Sequence, residues 1–233
     1  MKDIDIVILC GGLGKRLRPI VSDRPKSLAR INGVAFLDIL IQYLAGFGLK
    51  RFILCSGYMG DAIKKHYQQI PGALEILFSQ ENEPLGTGGA VKHAQPLIQS
   101  GTFLVLNGDS FCKLNLPDFY NFHLKKKSIL SVVLSKSGDG KDSGIVILDR
   151  QAKIVQFHEK VKPSKGSLCS AGVYLMDKKI FHLMGKSKVF SLEYDLFPVL
   201  AGKNCYGYHC KNDFIDIGTP QNLIQAADFL KHA

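Results

Sequence analysis

From Ile4 to Cys10 the chain is apolar at every position but Asp5, and polar and apolar residues do not alternate. A strand with one wet face alternates, whereas a strand without alternation is covered on both faces. This run therefore requires helices above and below the sheet that holds it. The following segments supply them. After an Asn32-Gly33 turn, Phe36, Ile39, Leu40, Tyr43, Leu44 and Phe47 recur at helical spacing, and Gly48 ends that helix. Strand-like runs at Arg51 to Cys55, Leu74 to Phe78 and Thr102 to Leu106 alternate with helix-like segments at Asp61 to Tyr67 and Thr87 to His93. This rhythm predicts an α/β fold with a mostly parallel, twisted sheet and helices on both faces.

The second half reads differently. A helix-like segment ends in Lys125-Lys126-Lys127, where cations suit the helix dipole and solvent. Strands follow at Ser128 to Ser135, Gly144 to Leu148, Ile154 to Phe157 and Ser170 to Met176, with a flexible loop expected over residues 137–144. Helices at Lys178 to Met184 and Leu192 to Ala201, a strand at Asn204 to Cys210 and a last helix from Gln221 close the chain. With 233 residues, 46% of them hydrophobic, and neither linker nor repeat, the expected plan is one domain. Residues 1–115 form its nucleotide-binding half and 116–233 the half that closes the site.

The first strand runs into Gly11, Gly12 and Gly14, and these into Lys15, Arg16 and Arg18. A Walker loop needs wider glycine spacing and a Ser or Thr after the lysine, where Arg16 stands. A dinucleotide fingerprint needs a third glycine where Leu17 stands, and an acid at the end of the second strand, which instead enters Ser56-Gly57-Tyr58. The remaining reading is a loop that wraps a nucleoside triphosphate, with cations aimed at the phosphates; a plain glycine turn after a buried strand stays open beside it. The formal charge of +10 fits a polyphosphate substrate or nucleic acid. No aromatic-plus-basic RNA motif or zinc-finger spacing appears, so no nucleic-acid partner is expected. The six cysteines sit mostly in apolar runs, as free core thiols do in a reducing compartment. No apolar stretch reaches the ~20 residues of a membrane span, and the N-terminus lacks a secretory pattern. A cytoplasmic protein without a membrane partner is expected.

Ligands of open α/β sheets bind beyond the carboxyl ends of the strands. The glycine loop, Ser79-Gln80 and Asn107-Gly108-Asp109 therefore share one rim. Asp109 ends a buried strand, and Asp216 lies in an apolar stretch where a carboxylate needs a partner. Each alone reads as a turn or helix cap. With a phosphate loop they suggest Mg²⁺, which takes one or two carboxylates plus substrate phosphates. Arg16 offers a bidentate fork and Lys26, behind Pro25, a point charge. Lys160 suits a sugar phosphate and Glu159 a sugar hydroxyl. Alone, the pair is an ordinary strand end.

Gly11-Gly-Leu-Gly-Lys-Arg-Leu-Arg-Pro19 with Arg24-Pro-Lys26 resembles the signature of the sugar-1-phosphate nucleotidylyltransferases. So do Pro84-Leu-Gly-Thr-Gly-Gly89, Asn107-Gly-Asp109, Glu159-Lys160, Ser170-Ala-Gly-Val-Tyr174 and Asp216-Ile-Gly-Thr219, in family order over nearly the whole chain. The resemblance implies a single-domain, Rossmann-like fold of the nucleotide-diphospho-sugar transferase (GT-A-like) kind, a three-layer sandwich with a mixed sheet. It implies that Leu9 and Gly11 meet the base and Gln80 reads its edge. Gly12, Gly14, Lys15 and Arg16 hold the triphosphate, Lys26 stabilises charge at the α-phosphate, and Gly86 lets the Thr87 region close over the nucleoside. Asn107, Gly144, Glu159, Lys160, Gly172 and Glu193 surround the sugar phosphate, while Asp109 and Asp216 share Mg²⁺. Arg16, Lys26, Asp109 and Asp216 are the implied catalytic set.

Within the family, the nearest likeness implies GTP and a heptose 1-phosphate as substrates, feeding capsule or surface glycans. Another base, or mannose, glucose or N-acetylmuramic acid phosphate, stays open, as does a homo-oligomer. Glu81 or Glu83 can accept from guanine N1 and N2 hydrogens. Three features depart from the family: Lys15 stands where many relatives have Thr, Glu159-Lys-Val-Lys-Pro163 replaces the usual Glu-Lys-Pro, and Ser143 stands where an aromatic is frequent. A silent nucleotide-sugar-binding regulator is the competing class, and the presence of both acids and Lys26 argues against it.

Overall fold

The computed structural model describes residues 2–68, 72–136, 143–161, 164, 166–211 and 214–232. The apolar N-terminal run forms β1 (Ile6–Leu9), buried from Ile6 to Ile8 and half-buried at Leu9. A 3₁₀ turn at Lys26–Leu28 leads into a hairpin of β2 (Arg30–Ile31) and β3 (Val34–Ala35). Its turn is the expected Asn32-Gly33, both residues at positive φ (52° and 86°), as the right-handed twist of a two-residue hairpin favours. Helix α1 (Phe36–Ala45) buries Phe36, Leu37, Leu40, Ile41 and Leu44, one apolar stripe of a 3.6-residue repeat. Next come β4 (Arg51–Ser56), α2 (Gly60–Gln68), β5 (Glu75–Gln80), α3 (Gly86–His93), β6 (Thr102–Asn107), a short β7 (Ser110–Cys112) and α4 (Leu116–Lys126). The second half contains β8 (Leu130–Lys136), β9 (Ser143–Leu148), β10 (Ile154–Val161), β11 (Leu168–Asp177), α5 (Phe197–Leu200), β12 (Cys205–His209), β13 (Phe214–Asp216) and α6 (Pro220–Phe229).

Among the described residues, one mixed sheet of nine strands organises the fold, in the order β10-β9-β11-β6-β1-β4-β5, with β8 also on β11 and β12 on β8. In the first half, β1 pairs in parallel with β4 and β6, and β4 with β5. Their carboxyl ends therefore share one rim. In the second half β11 runs antiparallel to β6, β8 and β9. The pleat divides the core. Ile6 and Ile8 face a layer of α1, α2, α4 and α6, while Val7 faces α3, the 3₁₀ turn at Lys178–His182 and α5. Three layers result, as the unalternating first strand requires.

Two segments differ from the helices expected of them. The Lys178 region closes only a 3₁₀ turn at Lys178–His182. The segment from Leu192 begins as a π-helical turn, Leu192–Leu196, before α5. Pro198 has no N–H, so the Tyr194 carbonyl lacks its ordinary i+4 donor, and the neighbouring turn widens to bonds such as Leu196 N to Ser191 O. β10 continues past Phe157 to Val161, so Glu159 lies within a strand and not at its end. The 137–144 loop lies outside the described residues as far as 142.

Candidate active site

At the shared rim the cavity has a volume of about 700 Å³ and is lined by Leu9 to Arg16, Lys26, Tyr58, Glu81 to Pro84, Gly86, Thr87, Asn107 to Asp109 and Gly218. The glycine loop is shaped by what surrounds it. A Cβ on Gly11 would stand 2.9 Å from Glu81 Oε1 and 3.0 Å from Gly57 N, and Gly14 takes φ +58°, where a Cβ would lie 3.2 Å from Lys26 Cβ. Gly12 has nothing within 4 Å of a Cβ position, so its bare backbone faces open space. Leu17 is 1% exposed and anchors the end of the loop in the core. Its N–H and that of Arg18 bond Gly14 O, which leaves Lys15 and Arg16 on the cavity wall.

The two acids approach one another at the cavity edge: Asp109 lines the cavity, and Asp216 does not line it but borders it through Gly218. Gly108 N donates to Leu9 O at 2.8 Å and sets Asp109 at the rim. The antiparallel pair β7–β13, with Ser110 opposite Asp216, carries the chain terminus back to the same place, where Ile217 N donates to Asp109 O at 2.9 Å. The Asp216 carboxylate is held at both oxygens. Gly218 N donates to Oδ1 (2.8 Å), and the buried amide of Asn222, on α6, donates to Oδ2 (2.9 Å). Lys26 Nζ stands 2.5 Å from Asp109 Oδ2. A Cβ on Gly218 would lie 2.6 Å from Asp216 Oδ1, 3.1 Å from Arg16 Nη2 and 3.3 Å from Lys26 Nζ. Two cations and the Asp216 carboxylate thus surround one point, and Asp109 is joined to it through Lys26. Among the described residues, no cluster of three or more His, Cys, Asp or Glu suited to a metal exists. Two carboxylates at one rim would suit a hard dication that keeps its waters and adds one or two carboxylates and substrate phosphates. Lys26 supplies the positive charge that Asp109 faces here.

At the other end, Glu81 is the prominent group. Its N–H extends the ladder beyond β5 by bonding Ser56 O (2.8 Å), and its Oε2 accepts from Leu85 N (3.1 Å). Burial pushes its carboxyl above the ordinary value, partly offset by the Leu85 N–H and by His93. The expectation for Gln80 is corrected by the pleat. Successive side chains of a strand point to opposite faces. Gln80 is exposed, reaches Asp61 Oδ1 at 3.3 Å and does not line the cavity, whereas its neighbour Glu81 does. Tyr58, with the Arg18 guanidinium 4.5 Å from its ring centroid, also lines the wall. Tyr58, Asn82, Pro84 and Ser27 were not among the expected site residues. The first three follow the carboxyl ends of β4 and β5, and that position was the available signal.

The expected sugar residues form a second group that meets the cavity through Asn107 and Thr87. Gly172, at φ +70°, sits where the β11–β8 register shifts, and a Cβ there would be 2.6 Å from Asn107 Nδ2. A Cβ on Gly144 would be 2.6 Å from Glu159 Oε2. Glu193 Oε1 accepts from Tyr174 Oη (3.2 Å), and Oε2 accepts from Thr87 Oγ1 (2.6 Å) and Ser191 Oγ (2.9 Å). Gly144, Glu159, Gly172 and Glu193 do not line the 700 Å³ cavity itself. Lys160 lies on β10, and its side chain, like that of Ser143, is outside the described residues. The second glycine cluster, whose Gly86 lines the cavity beside Thr87, also has a packing role. Cβ atoms on Gly86, Gly88 and Gly89 would lie 2.5, 2.2 and 2.3 Å from Phe190 O, Phe190 Cε2 and Lys188 O. These glycines let α3 dock on the 188–190 segment.

Bare glycine backbone and cations at the carboxyl ends of parallel strands favour an anionic, phosphate-bearing ligand. Residues 5–233 match the family described as Nucleotidyl transferase, and the chain belongs to it. It is 35% identical over 230 residues to the D-glycero-alpha-D-manno-heptose 1-phosphate guanylyltransferase of Aneurinibacillus thermoaerophilus, covering 98% of this chain and 99% of that protein. To the enzyme of the same description from Campylobacter jejuni it is 36% identical over 220 residues, 93% and 95% of the two chains. The crystal structure of HddC from Yersinia pseudotuberculosis complexed with GMP-PN matches with a TM-score of 0.84 at 33% identity, covering 97% of this chain and 99% of that one. The chain is a sugar-1-phosphate nucleotidylyltransferase.

Proposed function

We propose that the enzyme joins GTP to D-glycero-α-D-manno-heptose 1-phosphate, giving GDP-heptose and pyrophosphate for capsule or surface glycan synthesis. The observation that carries the chemistry is the convergence of Arg16, Lys26 and Asp216 around Gly218, beside Asp109. A phosphate oxygen of the sugar phosphate attacks the α-phosphorus, a new P–O bond forms, and the bond to the β-phosphate oxygen breaks as pyrophosphate departs. No base is needed, since the second pKa of the phosphate is about 6 and the attacking oxygen is already anionic at neutral pH. Arg16 and the backbone of Gly12 and Gly14 hold the leaving phosphates, and Lys26 sits at the α-phosphate. Preorganised positive groups of this kind stabilise charge as it shifts in the transition state. Nucleotidyl transferases typically use a divalent metal. Mg²⁺, held by Asp109 and Asp216, would neutralise phosphate charge.

Guanine is supported by the Glu81 carboxylate on the cavity wall, an acceptor for the N1 and N2 hydrogens. It is supported also by the relatives, whose descriptions name a guanylyltransferase and heptose 1-phosphate. Glu159 and Glu193 accept from sugar hydroxyls and Lys160 holds the sugar phosphate. The test crosses GTP, ATP, UTP and dTTP with heptose, mannose and glucosamine 1-phosphates in a coupled pyrophosphate assay. GTP with heptose 1-phosphate should give the highest kcat/KM. Preference for a pyrimidine triphosphate, or for a hexose phosphate, overturns the base or the sugar assignment respectively.

A further inference from the structure

Thr87 borders the cavity, but its hydroxyl is already engaged elsewhere. A threonine has one O–H to donate and two lone pairs to accept with. Here Oγ1 lies 2.6 Å from Glu193 Oε2, a short charge-assisted donation, and accepts from Leu192 N at 2.9 Å. The Glu193 carboxylate then has three hydroxyl donors: Thr87 and Ser191 on one oxygen, the buried Tyr174 on the other. An ionised carboxylate has about four acceptor sites, so one remains, on the side of Oε1. The donors come from α3, the turn before the π-helical segment, and β11. They hold the carboxylate in one orientation while leaving it able to accept once more. The docking of α3 reinforces this, because Gly88 N and Gly89 N both donate to Phe190 O, at 3.0 and 3.1 Å.

We infer that Thr87 is a positioning residue for Glu193, and through it for a hydroxyl of the sugar, and is not a ligand of the nucleotide. The inference rests on the reading above that Glu193 accepts from the sugar. It links the glycine-rich start of α3, on the nucleotide side, to recognition of the second substrate.

The test compares Thr87→Val, which keeps the shape and removes the hydroxyl, with Thr87→Ser, which keeps the hydroxyl. Three quantities are measured: KM for heptose and mannose 1-phosphates at saturating GTP, the Kd of a fluorescent GTP derivative, and Tm. In Thr87→Val the sugar-phosphate KM should rise about tenfold and the preference between the two sugars should narrow, with the GTP Kd within twofold of wild type. Thr87→Ser should return the KM to within about threefold. Tyr174→Phe removes the donor on the other oxygen and should raise the same KM, a reading that stands even if Thr87→Val does not fold. A GTP Kd that weakens as much as the sugar KM overturns the inference, as does an unchanged sugar KM in Tyr174→Phe or in a folded Thr87→Val. An active wild type with the wrong variant profile rejects this inference alone. A wild type that releases no pyrophosphate with either sugar rejects the guanylyltransferase reading and this inference with it.

Discussion

Glu81→Gln is the substitution that best tests how the enzyme selects its base. One carboxylate oxygen is engaged by Leu85 N, and the other lies against the backbone of Gly11 and Gly57. Glutamine has the same shape. If its carbonyl keeps the Leu85 bond, its NH₂ takes the place of Oε1 and presents donors to the donor edge of guanine. The loss is a hydrogen bond to a charged group, about 1.5–3 kcal/mol, or roughly 10- to 150-fold in affinity. The fold responds in the opposite sense. Burial raises the Glu81 carboxyl above its ordinary value, so the unliganded protein is destabilised by keeping this group ionised at neutral pH. Glu81→Gln removes that charge, and the unliganded Tm should rise or hold at pH 7.5. The assay is a titration with fluorescent GTP and ATP derivatives beside a thermal melt without ligand. Weakened GTP binding, unchanged ATP binding and an unreduced Tm support the argument. A GTP Kd within twofold of wild type refutes it, because no carboxylate facing guanine could then be present at Glu81.

Other outcomes follow from the same geometry. Asp109→Asn and Asp216→Asn should each lower kcat by at least about a hundredfold while GTP without added metal binds within a fewfold of wild type, measured by single-turnover pyrophosphate release and titration. Gly89→Ala would ordinarily strengthen a helix by about 1 kcal/mol, but its Cβ would meet the Lys188 carbonyl at 2.3 Å. The clash should dominate, for a net loss of about 2 kcal/mol and a fall in Tm of about 4–8 °C by calorimetry. His123 is 2% exposed, with Nδ1 2.9 Å from Ser131 Oγ, and burial pushes its pKa down to about 4. The unfolded chain takes up a proton below its own pKa of about 6.5 and the folded one does not until about 4, so stability falls as pH drops through that window, by about 3 kcal/mol in all. Urea midpoints in His123→Gln should lose this part of the slope.

The parts of the site that sequence revealed are those governed by local rules. The glycine loop after β1, Lys26 behind Pro25 and the Asn107-Gly108-Asp109 turn all lie at the cavity, as a strand's carboxyl end and close glycines suggest. Gln80 failed because one position along a strand reverses the face, and the phase of β5 is not legible from so short a run. The β7–β13 pair was invisible for a similar reason: three residues a side are too few for a period of two to show.

The residues by themselves determined that β1 must be covered on both faces, that helices and strands alternate around it, and that the glycine loop, Lys26 and Asp109 gather on one rim. These follow from periodicity, glycine geometry and the direction of parallel strands, each a property of a few neighbouring positions. Only the tertiary structure decided that Asp216 returns to Asp109, that Glu81 faces the cavity in place of Gln80, and that the glycines of α3 serve its docking on Phe190. Such juxtapositions depend on long-range pairing and on the sheet's pleat, which fix where a side chain points only after distant segments have packed.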